Sequence, residues 1–114
     1  MSEIYPQIYR IVQKIPKGKV LTYGLISHMI GGRMSAQGVG WALKALGSGK
    51  AKKEFDSNNV PWHRVVNAQG GTSTHKLGLP PDLQRQLLEA EGIKFNSEEK
   101  LDLEKHLWKE ILSK

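Results

Sequence analysis

The chain has 114 residues, enough for one hydrophobic core and too few for two, so we expect a single domain over residues 1–114. Seventeen lysines and arginines against eleven acidic residues give a formal net charge of +6, which favours a polyanionic partner. The sequence has no cysteine, which excludes disulfide scaffolds, thiolate metal sites and a thiolate nucleophile. No apolar run approaches the roughly 20 residues of a membrane span, and no signal-peptide pattern opens the chain. We expect a monomer of the cytoplasm, at the nucleoid in a bacterium or in the nucleus of a eukaryote.

Capping residues and glycines divide the first half of the chain into three predicted helices. Apolar residues recur at helical spacing from the start, and the breaker sequence Pro-Lys-Gly at residues 16–18 ends the first helix. Thr22 suits the N-cap of a second helix, which the glycines at 31–32 end, and Ser35 suits the N-cap of a third. The predicted helices span about residues 4–15, 23–30 and 36–46. The last two predict a helix-turn-helix unit.

The second half of the chain predicts one small β element and two further helices. Residues 64–66 and 72–74 flank two glycines and predict a short hairpin or extended turn. Two prolines at 80–81 introduce a helix that Gly92 ends, and apolar residues among charges over about 98–112 predict a final amphipathic helix. The predicted fold class is mostly α with a small β-hairpin, a winged helix-turn-helix-like DNA-binding domain.

The third predicted helix is rich in small residues, including Gly38 and Gly40. A glycine inside a helix costs roughly 0.5–1 kcal/mol, so two of them indicate a close approach to another surface. That surface is either DNA, at its backbone or minor groove, or a neighbouring helix, and the segment itself does not distinguish them. Only Gln37 and Lys44 offer the long polar side chains that read base edges in the major groove. A sequence-specific operator binder is therefore disfavoured.

Residues 60–66 read Val-Pro-Trp-His-Arg-Val-Val and resemble Pro-Cys-His-Arg-Val, the active-site motif of the O6-alkylguanine-DNA alkyltransferases, with Trp62 in place of the reactive cysteine. Segments similar to that family's C-terminal domain occur in the family's order at residues 15–24, 37–43 and 88–92. The resemblance covers about residues 4–95. The missing cysteine makes the chain most similar to the alkyltransferase-like proteins, stand-alone binders of damaged DNA. The resemblance implies a domain of the alkyltransferase C-terminal type that is not an enzyme.

The resemblance also implies how DNA is bound. In this family the helix-turn-helix lies in the minor groove, a tyrosine rotates the phosphate of the target nucleotide, and an arginine fills the vacated stack. Tyr23 matches the tyrosine, and Gly38 and Gly40 lie on the matching helix. Gln37 stands at the position of the arginine, where its shorter, uncharged side chain can still hydrogen-bond the orphaned base, and Arg33 is a candidate to compensate. Flipping costs a few kcal/mol, least at a damaged base, so we expect flipping with a reduced contribution from this position.

The lesion pocket follows from the same resemblance. Its implied lining consists of Tyr23, Val60, Pro61, Trp62 and the segment Ser73-Thr74-His75-Lys76. An indole offers a wide apolar face to a flipped base, and base–aromatic stacking is worth roughly 1–3 kcal/mol. Relatives carry a basic residue near His75 and Lys76 that approaches the flipped guanine. Either residue suits this role, and an ordinary solvated loop is an equally good interpretation of both.

Two residues that match catalytic positions of the family have no chemical role without the cysteine. His63 and Glu91 match the general base and orienting carboxylate of the transferases, where the histidine draws the proton from cysteine. Without a thiol we expect them to persist as a buried hydrogen-bonded pair that braces the pocket, because a buried polar group needs a partner. Arg64 is expected to give structural support, and Asn67 to close a turn.

The chain contains neither a hydrolase motif nor a metal-binding motif. A hydrolase would need a nucleophile beside a base, but neither Ser27 with His28 nor Ser73 with His75 lies in a nucleophile elbow or a catalytic triad motif. The four histidines of the chain do not have the spacing of metal ligands. We therefore expect no metal and no cofactor.

The expected function is recognition of DNA damage without catalysis. The protein binds duplex DNA that contains O6-alkylguanine, flips the nucleotide into the pocket, and marks it for nucleotide excision repair, whose proteins are its expected partners. The alternative is a generic helix-turn-helix regulator without lesion specificity, which explains the charge and the helices but not Trp62 and its neighbours. Tyr23, Trp41 and Trp108 also suit core positions, and the core is the leading interpretation of Trp108.

Overall fold

A computed structural model of the chain describes residues 4–48, 55–56, 58–72, 80 and 82–112. Its elements, in chain order, are α1 (Ile4–Lys14), β1 (Leu21–Thr22), α2 (Tyr23–Met29), α3 (Ala36–Ser48), a 3₁₀ helix (Trp62–Arg64), β2 (Val65–Val66), α4 (Leu83–Ala90), α5 (Leu103–His106) and α6 (Lys109–Leu112). The structure is mostly helical with one small sheet, which confirms the predicted fold class. No helix in these ranges is long and apolar enough to cross a membrane.

The helix-turn-helix unit consists of α2 and α3, and its bounds follow from local chemistry. The Thr22 hydroxyl accepts a hydrogen bond from the backbone N–H of Leu25 at 3.1 Å, and the Ser35 hydroxyl accepts one from that of Gly38 at 3.1 Å. The turn between the helices passes through Gly31 and Gly32, whose φ angles are +77° and +73°. These findings confirm both predicted N-caps and the predicted end of the second helix.

A two-stranded parallel sheet separates two apolar clusters. Leu21 of β1 lies opposite Val65 of β2, and Thr22 lies opposite Val66. Successive residues of a strand point to opposite faces, so Leu21 and Val65 join a main core with α1, α2 and α3. Val66 joins a second cluster, which also contains Val20 and residues of the C-terminal half. The sheet thereby ties the helix-turn-helix to the segment that follows residue 60.

The predicted short hairpin or extended turn is described only in part. Val65–Val66 pair in parallel with β1, and residues 73 and 74 of the predicted second arm lie outside the described residues. Asn67 closes the predicted turn, since its side-chain oxygen accepts hydrogen bonds from the backbone N–H groups of Gln69 and Gly71 at 2.9 Å each. Gly71 then forms a bridge with Lys100. Burial on both faces favours a parallel partner for this strand over an edge hairpin.

The predicted final helix over 98–112 is wrong, because two short helices take its place. The side-chain oxygen of Asn96 accepts hydrogen bonds from two backbone N–H groups and forms a turn, and Asp102 caps α5 only afterwards. Between α5 and α6, Val20 donates to the carbonyl of His106 and accepts from the N–H of Trp108, each at 2.9 Å. This long-range backbone pairing interrupts the helix, although the apolar periodicity runs on through it.

Among the glycines with positive φ, Gly70 is predicted to tolerate substitution least. Its φ is +87°, and a Cβ atom there would lie 2.7 Å from the carbonyl oxygen of Leu101, whereas at Gly92, with φ of +91°, a Cβ atom would meet nothing within 4 Å. We expect Gly92→Ala to lower the free energy of unfolding by about 1–2 kcal/mol, and Gly70→Ala by roughly 1–3 kcal/mol more. Urea unfolding of both variants measures the difference. Equal losses would show that the Leu101 carbonyl moves away at no cost.

Candidate nucleic-acid interface

A groove of about 690 Å³ lies between α2, α3 and the turn that follows β2. Its lining includes Tyr23, Gln37, Gly40, Trp41, Lys44 and Asn67. A second groove, of about 570 Å³, lies among residues 94–104 beside Gln69 and contains none of the predicted site residues. The helix-turn-helix groove therefore brings together three of the predicted DNA-binding residues, from two helices.

Tyr23 is placed in this groove by the strand that precedes it. It is the first residue of α2, directly after the Thr22 cap, and β1 holds that cap beside β2. The ring is buried among the core residues with 9% of its surface exposed. Asn67 and Ala68 follow β2 at the same end of the sheet and line the groove with it. The parallel pairing thus brings the start of the helix-turn-helix next to the turn after the Trp62 motif.

The two glycines of α3 have different surroundings. Gly38 is buried, and a Cβ atom there would overlap the side chain of Met34 at 2.2 Å, which indicates a packing requirement. Gly40 faces the groove, and a Cβ atom there would be in ordinary contact with Tyr23 at 3.8 Å. Packing therefore accounts for Gly38, while at Gly40 the missing side chain keeps the groove floor flat.

The Trp62 motif forms the short 3₁₀ helix just before β2. Pro61 precedes it and is half-buried, and Trp62 lies in the main core with 6% of its surface exposed. The indole stands nearly perpendicular to the His63 ring, with the ring centroids 6.0 Å apart. Most of this indole therefore packs against the core. Trp62 supports the fold as well as occupying the position of the reactive cysteine.

Gln84 of α4 holds the backbone of this motif in place. Its buried side-chain amide donates hydrogen bonds to the carbonyl of His63 at 3.0 Å and to that of Val65 at 2.7 Å. Sequence reasoning missed this residue. The available signal was its position four residues before Leu88 on the apolar face of the helix, where a glutamine needs a buried partner.

His63, Arg64 and Glu91 form one part-buried hydrogen-bonded cluster. The Nε2 atom of His63 lies 2.7 Å from one Glu91 oxygen, and the Arg64 guanidinium donates to both oxygens at 2.7–3.2 Å. Arg64 also donates to the carbonyl of Ile15 at 2.7 Å, and the N–H of Gly18 lies 3.3 Å from Glu91. Burial acts to raise the pKa of Glu91, but the hydrogen bonds from Arg64, His63 and Gly18 overcome it and lower this pKa to about 2. Since a carboxylate only accepts, His63 is the donor in the pair.

The remaining candidates are placed as follows. Ser73, His75 and Lys76 lie outside the described residues. The Arg33 guanidinium donates to the carbonyl of Ile30 at 2.9 Å and to the side chain of Gln7, and it does not line the helix-turn-helix groove. Within the described ranges no cluster of three metal-ligating side chains is present.

The tryptophans outside the motif have opposite environments. Trp108 is half-buried against the main core, in line with its leading interpretation. Trp41 does not occupy a core position: 57% of its surface is exposed, and it lines the groove one helical turn after Gln37. A helical wheel of α3 carries the signal for this placement, because buried Val39 and Leu43 lie on another face.

A helix-turn-helix groove joined through one sheet to a braced Trp-His-Arg motif defines a DNA-binding domain of the O6-alkylguanine transferase type without its acceptor. The chain matches the family described as 6-O-methylguanine DNA methyltransferase, DNA binding domain, over residues 3–93. It belongs to that family, as an alkyltransferase-like member with Trp62 at the cysteine position.

Relatives match the chain over almost its whole length. Alkyltransferase-like protein 1 of Schizosaccharomyces pombe is 36% identical over 113 residues, which cover 96% of this chain and 97% of that protein. The DNA base-flipping protein of Vibrio parahaemolyticus is 41% identical over 108 residues, which cover 95% and 98%. The crystal structure of S. pombe Atl1 in complex with damaged DNA containing O6-carboxymethylguanine matches with a TM-score of 0.76 at 37% identity, over 95% of this chain and 96% of that one.

The Glu91 cluster predicts a loss of stability in acid. The pKa of Glu91 falls from its ordinary 4.5 to about 2 on folding, so the native state binds fewer protons. The resulting stabilisation, about 3 kcal/mol, is present above roughly pH 5 and is lost as the pH falls towards 2. We expect Glu91→Gln to lower the free energy of unfolding at neutral pH and to flatten its pH dependence below about pH 5. Urea unfolding across this range measures both effects.

Glu89→Gln is the matched control, because Glu89 lies two residues earlier, is exposed, and pairs with Arg85 at the surface. This control should keep the wild-type pH dependence. If Glu91→Gln keeps it as well, the acid sensitivity arises elsewhere.

Proposed function

We propose that this protein recognises O6-alkylguanine in duplex DNA by flipping the nucleotide, and that it transfers no alkyl group. One observation carries the proposal. The groove of the helix-turn-helix and the Trp62 motif are joined through the β1–β2 pair, with Tyr23 directly after β1 and the motif directly before β2. A DNA-binding surface and the former reaction centre therefore form one unit, as recognition of a single nucleotide requires.

Two comparisons support this role. The related S. pombe Atl1 has been crystallised with DNA containing O6-carboxymethylguanine, and the V. parahaemolyticus relative is called a DNA base-flipping protein. The similarity to both covers nearly the whole chain. A generic helix-turn-helix regulator would not need the part-buried cluster around Glu91, which braces only the Trp62 motif and the loop after α1.

The absence of alkyl transfer follows from the side chains available. The sequence contains no cysteine, and an indole has no lone pair suited to capture an alkyl group. His63 donates through Nε2 to Glu91, as an orienting carboxylate requires, but the chain offers no thiol for the histidine to deprotonate. The lesion therefore leaves the protein unchanged, and we propose that it is passed to nucleotide excision repair, a pathway that needs no acceptor on the recognition protein.

Gln37 by itself holds the flipped state only weakly, so the flipped state depends on other residues as well. It is exposed and lines the groove, but it lacks the length and charge of the arginine that relatives place in the vacated stack. Extrusion costs a few kcal/mol and costs least at a damaged base. Because Gln37 fills the vacated stack only weakly, undamaged bases stay stacked, and flipping is favoured at damaged bases.

We expect discrimination between damaged and undamaged DNA. A duplex with one O6-methylguanine should bind at least about tenfold more tightly than the same duplex with guanine, a difference of about 1.4 kcal/mol. Fluorescence anisotropy at fixed salt measures both affinities, and incubation with a duplex labelled on the methyl group should leave no label on the protein. Equal affinities would favour the generic regulator, and a labelled protein would disprove the absence of transfer.

Gln37→Arg should tighten binding to the lesion duplex by about tenfold, because a longer, charged side chain fills the vacated stack and hydrogen-bonds the orphaned base. Gln86→Arg is the control, since Gln86 is exposed on α4, away from the groove, and gains the same charge. Dissociation constants for both duplexes distinguish plugging from added charge. An equal effect of the two substitutions would place Gln37 outside the gap.

A further inference from the structure

Trp41 exposes more of its side chain than a large apolar residue on a packed helix ordinarily does. It is 57% exposed, the one large apolar side chain in the described part of the chain that lies mostly in water. An indole pays an apolar hydration penalty there, and such residues are enriched where a partner covers them. Trp41 therefore requires an explanation that neither the core nor the Trp62 motif provides.

The neighbours of Trp41 identify the kind of partner. Gln37, Trp41 and Lys44 follow one another at helical spacing on one face of α3 and line the same groove as Tyr23. This face combines an aromatic plate, a cation and an amide, on a protein whose net charge is +6. That chemistry suits the minor groove of duplex DNA, where cations meet phosphates and apolar wedges enter base steps.

The spacing along α3 sets how far the indole reaches. With a rise of about 1.5 Å per residue, Trp41 lies about 6 Å beyond Gln37 along the helix axis, and stacked bases are about 3.4 Å apart. This offset corresponds to nearly two base steps, so an indole at this position meets a base step further along the groove than the one that Gln37 occupies. The two side chains are therefore placed to act on different levels of the duplex.

We propose that Trp41 is a second minor-groove contact, whose indole wedges against a base step near the flipped nucleotide and supplies the hold on the flipped state that Gln37 lacks. Lys44, one turn further along, pairs with a phosphate. This inference deepens the proposed function and rests on it for the flipped state. The DNA contact of Trp41 itself can be tested separately.

Tryptophan fluorescence tests the contact directly. Trp62 is buried and Trp108 is half-buried, so acrylamide quenching of the free protein should come mainly from Trp41. A duplex at saturating concentration should protect the wild type from acrylamide. Trp41→Phe should show little quenching with or without DNA. Absence of protection would overturn the contact, as would concentration-dependent protection without DNA, which would assign the indole to a second copy of this chain.

Binding measurements test the role in flipping. Trp41→Ala should weaken binding to the O6-methylguanine duplex by about tenfold and Trp41→Phe by much less, because the aromatic plate is kept. A 2-aminopurine next to the lesion should brighten on binding of the wild type and less with Trp41→Ala. Because Trp41 is exposed, the melting temperature of the alanine variant should not change, which excludes misfolding as the cause.

Lys44→Gln is the matched control on the same face. It should weaken binding to damaged and undamaged duplexes alike and reduce the salt slope by about 1, while Trp41→Ala leaves the slope unchanged. If Trp41→Ala binds the O6-methylguanine duplex with wild-type affinity and gives the wild-type 2-aminopurine signal, while the preference for damaged DNA persists, the proposed wedge role of Trp41 is disproved. If the wild type shows no preference for damaged DNA, the proposed function fails. Protection of Trp41 from acrylamide on undamaged DNA then still shows whether the indole contacts DNA.

Discussion

The carboxylate of Glu91 holds together parts of the chain that are far apart in sequence. It accepts hydrogen bonds from Arg64, His63 and the backbone of Gly18, across separations of 27, 28 and 73 residues. Arg64 extends the cluster to the carbonyl of Ile15 at the end of α1. Removing one partner leaves a charged group unpaired in a part-buried site, which lowers the free energy of unfolding. The loop after α1, the Trp62 motif and the end of α4 therefore depend on one another.

This energetic dependence explains how a reaction centre can lose its reaction and keep its geometry. The histidine and carboxylate that serve proton transfer in the transferases here form a structural cluster, whose members are 14% and 10% exposed. Gln84 adds buried hydrogen bonds to the backbone of the same motif. Trp62 is largely enclosed by the core, so a substitution there changes the stability of the fold. Effects on DNA binding at this position need a stability measurement beside them.

The recognition face obeys different constraints from the motif. Gly38 is buried against Met34 and belongs to the packing of α3, whereas Gly40, Gln37, Trp41 and Lys44 face the groove. Exposed residues on such a face contribute little to the free energy of folding, so binding to a partner, and not packing, constrains their identities. On this face Gln37 lies one helical turn before the exposed indole of Trp41.

Sequence reasoning succeeded where the determinants are local or covalent. The caps Thr22 and Ser35 and the turn glycines act within a few residues, so α2 begins and ends, and α3 begins, where predicted. That no thiolate is available as an alkyl acceptor is also read from the sequence alone. The partner of β2 and the break between α5 and α6 could not be predicted in this way, since both depend on backbone pairing across dozens of residues.

The sequence by itself thus determined the helical framework, the family motif and the loss of the acceptor, because these depend on near neighbours and on side-chain chemistry. Only the tertiary structure decided that β2 pairs with β1, that Gln84 holds the motif, and that Trp41 faces the groove. Each of these is a contact or an exposure created by long-range packing, and a linear pattern carries no record of which distant residue becomes the neighbour.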